Sequence, residues 1–298
     1  MSRLPLSMRI ARKVGALRAL NFTAATTVTG RRYRVPVRGQ LGWRNTQPGG
    51  NDPWREPLMR AALGAPGAFL DVGANVGQTL MHVLALDPGR RYVGCEPNAA
   101  CVDYLHRLVD ANNLSGCTIV PTGLSDRNGL LTLHDHGDHS AIASVVDGFR
   151  PESFYTRTVH VAVLRGDAVA DSLGIEKLAA VKVDVEGGEL EVMSGLTETL
   201  KRDRPPVFCE ILPVLEPGHD TDALHDFRSD RQNRLLAHMR ELGYRCWRTR
   251  HDGVVEPIDP QTGIEPHADL SKCDYLFLRT ESAEEFLAAA GASVASVS

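Results

Sequence analysis

The chain has 298 residues, 43% hydrophobic and 23% charged, with a formal net charge of −4. That length holds one large α/β domain plus a modest extension, and the composition excludes wholesale disorder. No run of eighteen apolar residues occurs and the balance is acidic, so neither a transmembrane helix nor a nucleic-acid binder working through bulk positive charge is expected.

Charge is uneven along the chain. Arg3, Arg9, Arg12, Lys13, Arg18, Arg31, Arg32, Arg34, Arg38 and Arg44 fall in residues 1–51, which contain no Asp or Glu. The remainder holds 23 basic against 37 acidic residues, a net of −14. A basic leader on an acidic body suggests a segment that docks on the body, a partner or an anionic surface. Within it, Leu6, Ile10, Val14 and Leu17 recur at helical spacing with basic residues between them. This predicts a short amphipathic helix packed on the domain; peripheral membrane contact through residues 6–20 is the alternative reading. Val28 to Val37 reads as a small β-hairpin around Gly30, and Asn45 to Pro57 as a linker. Residues 1–50 are therefore taken as a basic extension.

From Pro66 strands alternate with helices. Ala68–Val72, Tyr92–Cys95, Thr118–Val120, Val181–Val185, Val207–Leu212, Tyr244–Arg248 and Tyr275–Leu278 are strand-like. Gln78–Leu86, Ala99–Asn112 and Leu190–Leu200 have helical spacing. This order implies a mostly parallel sheet covered on both faces, whose last strand could return antiparallel. Leu130–His134 and Thr158–Leu164 interrupt it as an inserted β-hairpin, placed where loops recognise ligands. The domain spans 51–285, and the Ala/Ser-rich tail 286–298 is expected to fray. Cys95, Cys101, Cys117, Cys209, Cys246 and Cys273 form no C-x-x-C pair, and no secretory signal is legible, so reduced thiols and a cytoplasmic location are expected.

Three motifs carry chemistry. In Asp71-Val72-Gly73-Ala74-Asn75-Val76-Gly77 an apolar strand runs into a glycine turn before a helix. Asn75 and Gln78 stand where a dinucleotide motif would have its second and third glycines, so a pyrophosphate-hugging loop is disfavoured. A carboxylate at Asp71 instead suits an ammonium or sulfonium ligand, and S-adenosylmethionine has both charges. Glu96, at the end of the second strand, is placed to accept a ribose hydroxyl pair, while Asn98 beside it suits a helix cap. Lys182, Asp184, Glu186 and Glu189 form a charged strand end, costly in a core unless paired or used.

Together these motifs, with Gly123 to Gly129, Gly195, Cys209-Glu210-Ile211, Gly243-Tyr244 and Asp274 to Leu278, resemble the FkbM-type family of S-adenosylmethionine-dependent methyltransferases. The resemblance covers about residues 55–280. It implies a Rossmann-like class I methyltransferase fold: a seven-stranded, mostly parallel α/β sheet with its last strand antiparallel. The implied activity is O-methylation of a sugar, glycan or polyketide/natural-product hydroxyl. By position, Asp71, Gly73, Asn75 and Gly77 would frame the methionine part of S-adenosyl-L-methionine, Glu96 the ribose, and Ser125 and Asp126 the adenine.

Methyl transfer to an alcohol needs a positioned base, for which Asp184, Glu210 and His139 are candidates. The His134/His136 pair could bind a metal, but a polar loop tip explains that run as well, and no metal is assigned. The expected partners are a small-molecule or glycan hydroxyl acceptor and no nucleic acid. A non-catalytic methyltransferase-like binding module, or an NAD(P)-dependent oxidoreductase on a similar sheet, are the competing readings.

Overall fold

The computed structural model describes residues 21–39, 41–46, 53–135, 157–215 and 221–295. The expected amphipathic helix over residues 6–17 lies outside them. Strands β1 (Asn21–Val28) and β2 (Arg31–Arg38) pair antiparallel across Thr29 and Gly30, whose φ values of 46° and 79° suit a tight hairpin turn. The hairpin is longer than Val28 to Val37, and it belongs to the core. Tyr33, Val35 and Val37 on its inner row are buried, and the Tyr33 hydroxyl donates to Met81 O at 2.8 Å. Through this row the hairpin packs against the main unit.

The chain continues through α1 (Glu56–Leu63), β3 (Ala68–Val72), α2 (Gln78–Leu86), β4 (Tyr92–Cys95), α3 (Ala99–Asn112) and β5 (Cys117–Val120). The Asn98 side chain caps α3, accepting from Ala100 N at 3.0 Å, as its position suggested. Strands β6 (Gly123–Ser125), β7 (Gly129–Asp135) and β8 (Arg157–Arg165) follow as a separate small sheet in the order β6-β8-β7. The inserted hairpin is thus present, joined by a third short strand parallel to β8.

Next come α4 (Gly166–Ser172), β9 (Leu178–Val183), α5 (Glu189–Gly195), α6 (Thr197–Asp203), β10 (Val207–Glu210), α7 (Asp222–Glu241), β11 (Tyr244–Thr249), β12 (Val254–Pro257), β13 (Asp274–Arg279), α8 (Ala283–Ala289) and β14 (Ser293–Val294). The expected helix Leu190–Leu200 is two helices meeting at Leu196. Toward the end of the chain α8 buries Leu287, and β14 pairs in parallel with β12.

The main sheet has the order β5-β4-β3-β9-β10-β13-β11-β12-β14. Its first five strands run parallel, and β13 is antiparallel to both β10 and β11. The seven expected strands are all present, with β12 and β14 added at the β11 edge. Strand β3 is buried at every position, as a central strand covered by helices on both faces requires.

Candidate functional site

From β3 the chain steps outward to β4 and β5, then crosses back through the small sheet to β9 on the other side of β3. This reversal opens a crevice at the carboxyl ends of β3 and β9, the place where open α/β sheets bind ligands. The two loops leaving these strands touch backbone to backbone. Asp184 N donates to Val72 O at 3.0 Å, and a Cβ on Gly73 would stand 1.9 Å from Asp184 O. Gly73 also has φ 83°, so only glycine satisfies the turn.

A cavity of about 280 Å³ occupies the crevice. Of the expected site residues, Gly73, Asn75, Glu96, Ser125 and Asp184 line it. Glu96 is 7% exposed, and its two oxygens each accept one backbone N–H, from Asn75 and Asn98, both at 2.8 Å. These bonds aim the carboxylate and leave each oxygen a further lone pair for ligand hydroxyls. Burial pushes its pKa up to about 7, against the pull of the two N–H groups.

The other expected residues fall behind the wall or outside it. Gly77 serves packing, since a Cβ there would meet Leu108 Cδ2 at 2.7 Å. Asp126 is absent from the lining and lies 3.5 Å from Arg127, a residue of the rim. His136 and His139 lie outside the described residues, and the metal reading of that run goes with them. Among the described residues no group of three His, Cys, Asp or Glu side chains is arranged to hold a metal ion.

Asp71 lies behind the cavity wall. Its side chain is fully buried and turns away from the cavity. The Tyr92 hydroxyl donates to Oδ2, and Lys182 Nζ lies 3.5 Å from Oδ1. Gly94, between Tyr92 and the loop, leaves room for the tyrosine ring, because a Cβ there would meet Tyr92 Cε1 at 3.0 Å. Asp71 therefore holds Lys182 from behind the cavity wall.

Lys182 in turn donates to Gly73 O at 3.3 Å and to Asp184 Oδ2 at 3.0 Å. Burial lowers its pKa, but Asp184 and Asp71 outweigh that and raise it, so the ammonium stays charged. Glu210, off the cavity wall, hydrogen bonds Asp184. The Asp184 charge and burial push the Glu210 pKa up to about 9, so at neutral pH it holds a proton. Burial opposes ionisation of Asp184, but Lys182 and Glu210 outweigh it and keep its carboxyl below the usual range. One proton and one ammonium thus serve three carboxyl groups, with the Asp184 carboxylate facing the cavity.

Sequence reasoning assigned no role to Lys182, Tyr92 or Arg231. The spacing of Lys182 and Asp184, two apart on a strand, was the available signal that their side chains share a face. No local signal marks Arg231. From α7 it donates to Glu191 Oε1 at 2.9 Å, to Glu191 Oε2, and to Gly187 O at 2.8 Å. Glu189 Oε1 accepts Gly187 N at 2.8 Å. These bonds hold the turn at Glu186 and Gly187, whose φ values are 55° and 107°. That turn presents Glu186 to the cavity, whose far wall is built by Glu191, Phe227 and Arg231.

Strand order, the reversal at β3/β9 and a carboxylate at the end of β4 define a Rossmann-like class I methyltransferase fold. The sequence model of the methyltransferase FkbM domain matches residues 71–246. The chain belongs to the FkbM methyltransferase domain family. Its relatives include methyltransferase sdnD of Sordaria araneosa, 30% identical over 156 residues, which cover 44% of this chain and 60% of the relative. Hexuronic acid methyltransferase AglP of Haloferax volcanii is 31% identical over 133 residues, 44% of this chain and 50% of that one. The matched region thus spans 60% and 50% of the lengths of these two relatives. Among solved structures, the methyltransferase FkbM of Methylobacillus flagellatus KT covers 71% of this chain and 43% of its own, at 17% identity and TM-score 0.41. The cofactor of the family is S-adenosylmethionine. The site fits it: Glu96 offers aimed lone pairs to a ribose, and Gly73 keeps the loop free of side-chain bulk.

Proposed function

We propose that the protein is an S-adenosylmethionine-dependent O-methyltransferase acting on a hydroxyl of a sugar, glycan or polyketide-type acceptor. The observation that carries this reading is the Asp184 carboxyl on the cavity wall, 3.0 Å from Lys182 Nζ and hydrogen-bonded to Glu210. When bound, S-adenosylmethionine supplies a methyl group on a positively charged sulfur, the electrophile of an in-line displacement.

The chain's own residues do the rest. Glu96 fixes the ribose, and the Gly73–Asn75 turn fixes the amino-acid end, so positioning lowers the barrier. Asp71 stays one layer behind, which avoids stabilising the charged ground state too strongly. Asp184 accepts a hydrogen bond from the acceptor hydroxyl and takes its proton as the O–C bond forms. A carboxylate held at low pKa is a weak base, so its main contribution is alignment, with proton removal late. Glu210, protonated at neutral pH, supports Asp184 rather than acting as the base.

Support for a sugar acceptor comes from the hexuronic acid methyltransferase among the relatives. Transfer of labelled methyl from S-adenosylmethionine to a panel of hexosides, uronic acids and polyketide alcohols tests the reading. Asp184→Asn is expected to lower turnover on the best acceptor about 100-fold or more, with S-adenosylhomocysteine affinity nearly unchanged. Turnover that survives this substitution removes Asp184 from the reaction.

A further inference from the structure

We propose that the outward face of the β1–β2 hairpin is a docking surface for anionic phospholipid headgroups. This goes beyond the proposed activity and does not depend on it. The alternation of β2 sends Tyr33, Val35 and Val37 into the core and Arg32, Arg34 and Arg38 outward, all three exposed. The facing strand lays Asn21, Thr23, Ala25 and Thr27 beside them, also exposed and uncharged. Register places Thr27 opposite Arg32, Ala25 opposite Arg34 and Asn21 opposite Arg38. The result is a face with a row of three arginines spread over roughly 20 Å of strand.

Among the described residues no carboxylate lies within ion-pair distance of Arg32, Arg34 or Arg38, although the Asp103 carboxyl feels the Arg38 charge. Arg31, by contrast, is engaged with the body, donating to Leu84 O at 2.6 Å. Residues 1–51 contain no acidic side chain, whereas the rest of the chain carries a net −14. A negatively charged surface is therefore attracted to this face and repelled by the others, which selects one orientation.

The structure also narrows the kind of partner. The Asn112 side chain bonds the Arg34 backbone at both N and O, 2.7 and 2.8 Å, so this stretch of the β2 edge is closed to an added strand. The outward row of the hairpin has no aromatic ring on which a base could stack, which disfavours single-stranded nucleic acid. Phe22, 44% exposed, stands opposite Val37 in the register and so belongs to the other face of the hairpin.

The test is co-sedimentation of the full chain with phosphatidylcholine vesicles containing about 30% phosphatidylglycerol, beside pure phosphatidylcholine vesicles. Binding is expected only to the anionic vesicles, and it should weaken as salt rises. A basic side chain near such a surface contributes roughly fivefold in partitioning, so the triple variant Arg32→Gln, Arg34→Gln, Arg38→Gln should bind roughly 100-fold more weakly. All three positions are exposed, and an unchanged thermal midpoint confirms that the variant is folded. Absence of binding to the anionic vesicles overturns the proposal. So does equal binding to both vesicle types, or a triple variant that binds like the parent. Displacement from the vesicles by an RNA oligonucleotide at stoichiometric amounts would assign the face to nucleic acid instead.

Discussion

Lys182→Met removes the one ammonium that joins Asp71 to Asp184. Nζ lies 3.0 Å from Asp184 Oδ2 and 3.5 Å from Asp71 Oδ1, and Asp71 has no exposure to solvent. At an effective dielectric of about 20, each contact corresponds to roughly 5 kcal/mol of attraction, before the cost of burying the ammonium is subtracted. The Asp184 share is discounted further, because its side chain is 32% exposed and solvent screens it. Removing one partner of a buried pair while the other remains costs about 3–5 kcal/mol, and that is the expected loss at pH 8.

The sign with pH follows from Asp71. Its pKa is already raised by burial, and without Lys182 it rises further. A carboxyl whose folded pKa lies above its unfolded value contributes stability that is present at low pH and lost as pH rises. The deficit of the variant should therefore shrink on acidification from pH 8 to pH 5, by about 1 kcal/mol or more. Urea unfolding of both proteins at the two pH values measures this. A deficit under about 1 kcal/mol at pH 8, or one that grows on acidification, would show that Lys182 does not carry the charge balance of the site.

Three further outcomes are expected. Glu210 ionises near pH 9 in the fold against an ordinary value of 4.5, so its contribution is complete below pH 4.5 and is lost as pH rises toward 9; Glu210→Gln should flatten the decline of stability between pH 7 and 9, and an unchanged slope in thermal melts refutes the assignment. Glu96→Gln replaces one aimed acceptor oxygen by an NH2 group facing a backbone N–H, and calorimetric titration should show S-adenosylhomocysteine affinity falling roughly 10- to 100-fold; affinity within twofold of the parent removes Glu96 from the ribose. Gly73→Ala combines φ 83° with a Cβ 1.9 Å from Asp184 O, so a loss of roughly 2–5 kcal/mol is expected, along with the thermal shift that S-adenosylhomocysteine gives the parent; a normally stable variant with a normal shift contradicts the backbone contact.

Much of the fold was legible because apolar strands buried on both faces are short hydrophobic runs, and β3, β4 and β10 read that way in isolation. The helix α7 escaped for an equally physical reason. Its buried stripe is Arg228, Gln232, Leu235 and Met239, half of it polar, so hydropathy does not mark the face. The hairpin was read as an appendage because its composition is basic; its core row, Tyr33, Val35 and Val37, alternates with the arginines that dominate the count.

Within the site, local sequence was enough for the turn and for Glu96. Glycine at 73 and the acid that ends β4 act through backbone conformation and strand position, both encoded within a few residues. The alternation of Lys182, Asp184 and Glu186 announced a cost without naming who would offset it. Only the tertiary structure decided that Asp71 faces inward to Tyr92 and Lys182, that Glu210 keeps a proton beside Asp184, and that Arg231 reaches from α7 to hold Gly187. Those roles depend on which strands lie side by side and on how far water is excluded between them. Neither property can be read from neighbours in the chain, because burial and long-range pairing, not residue type, set the charge that each carboxyl carries.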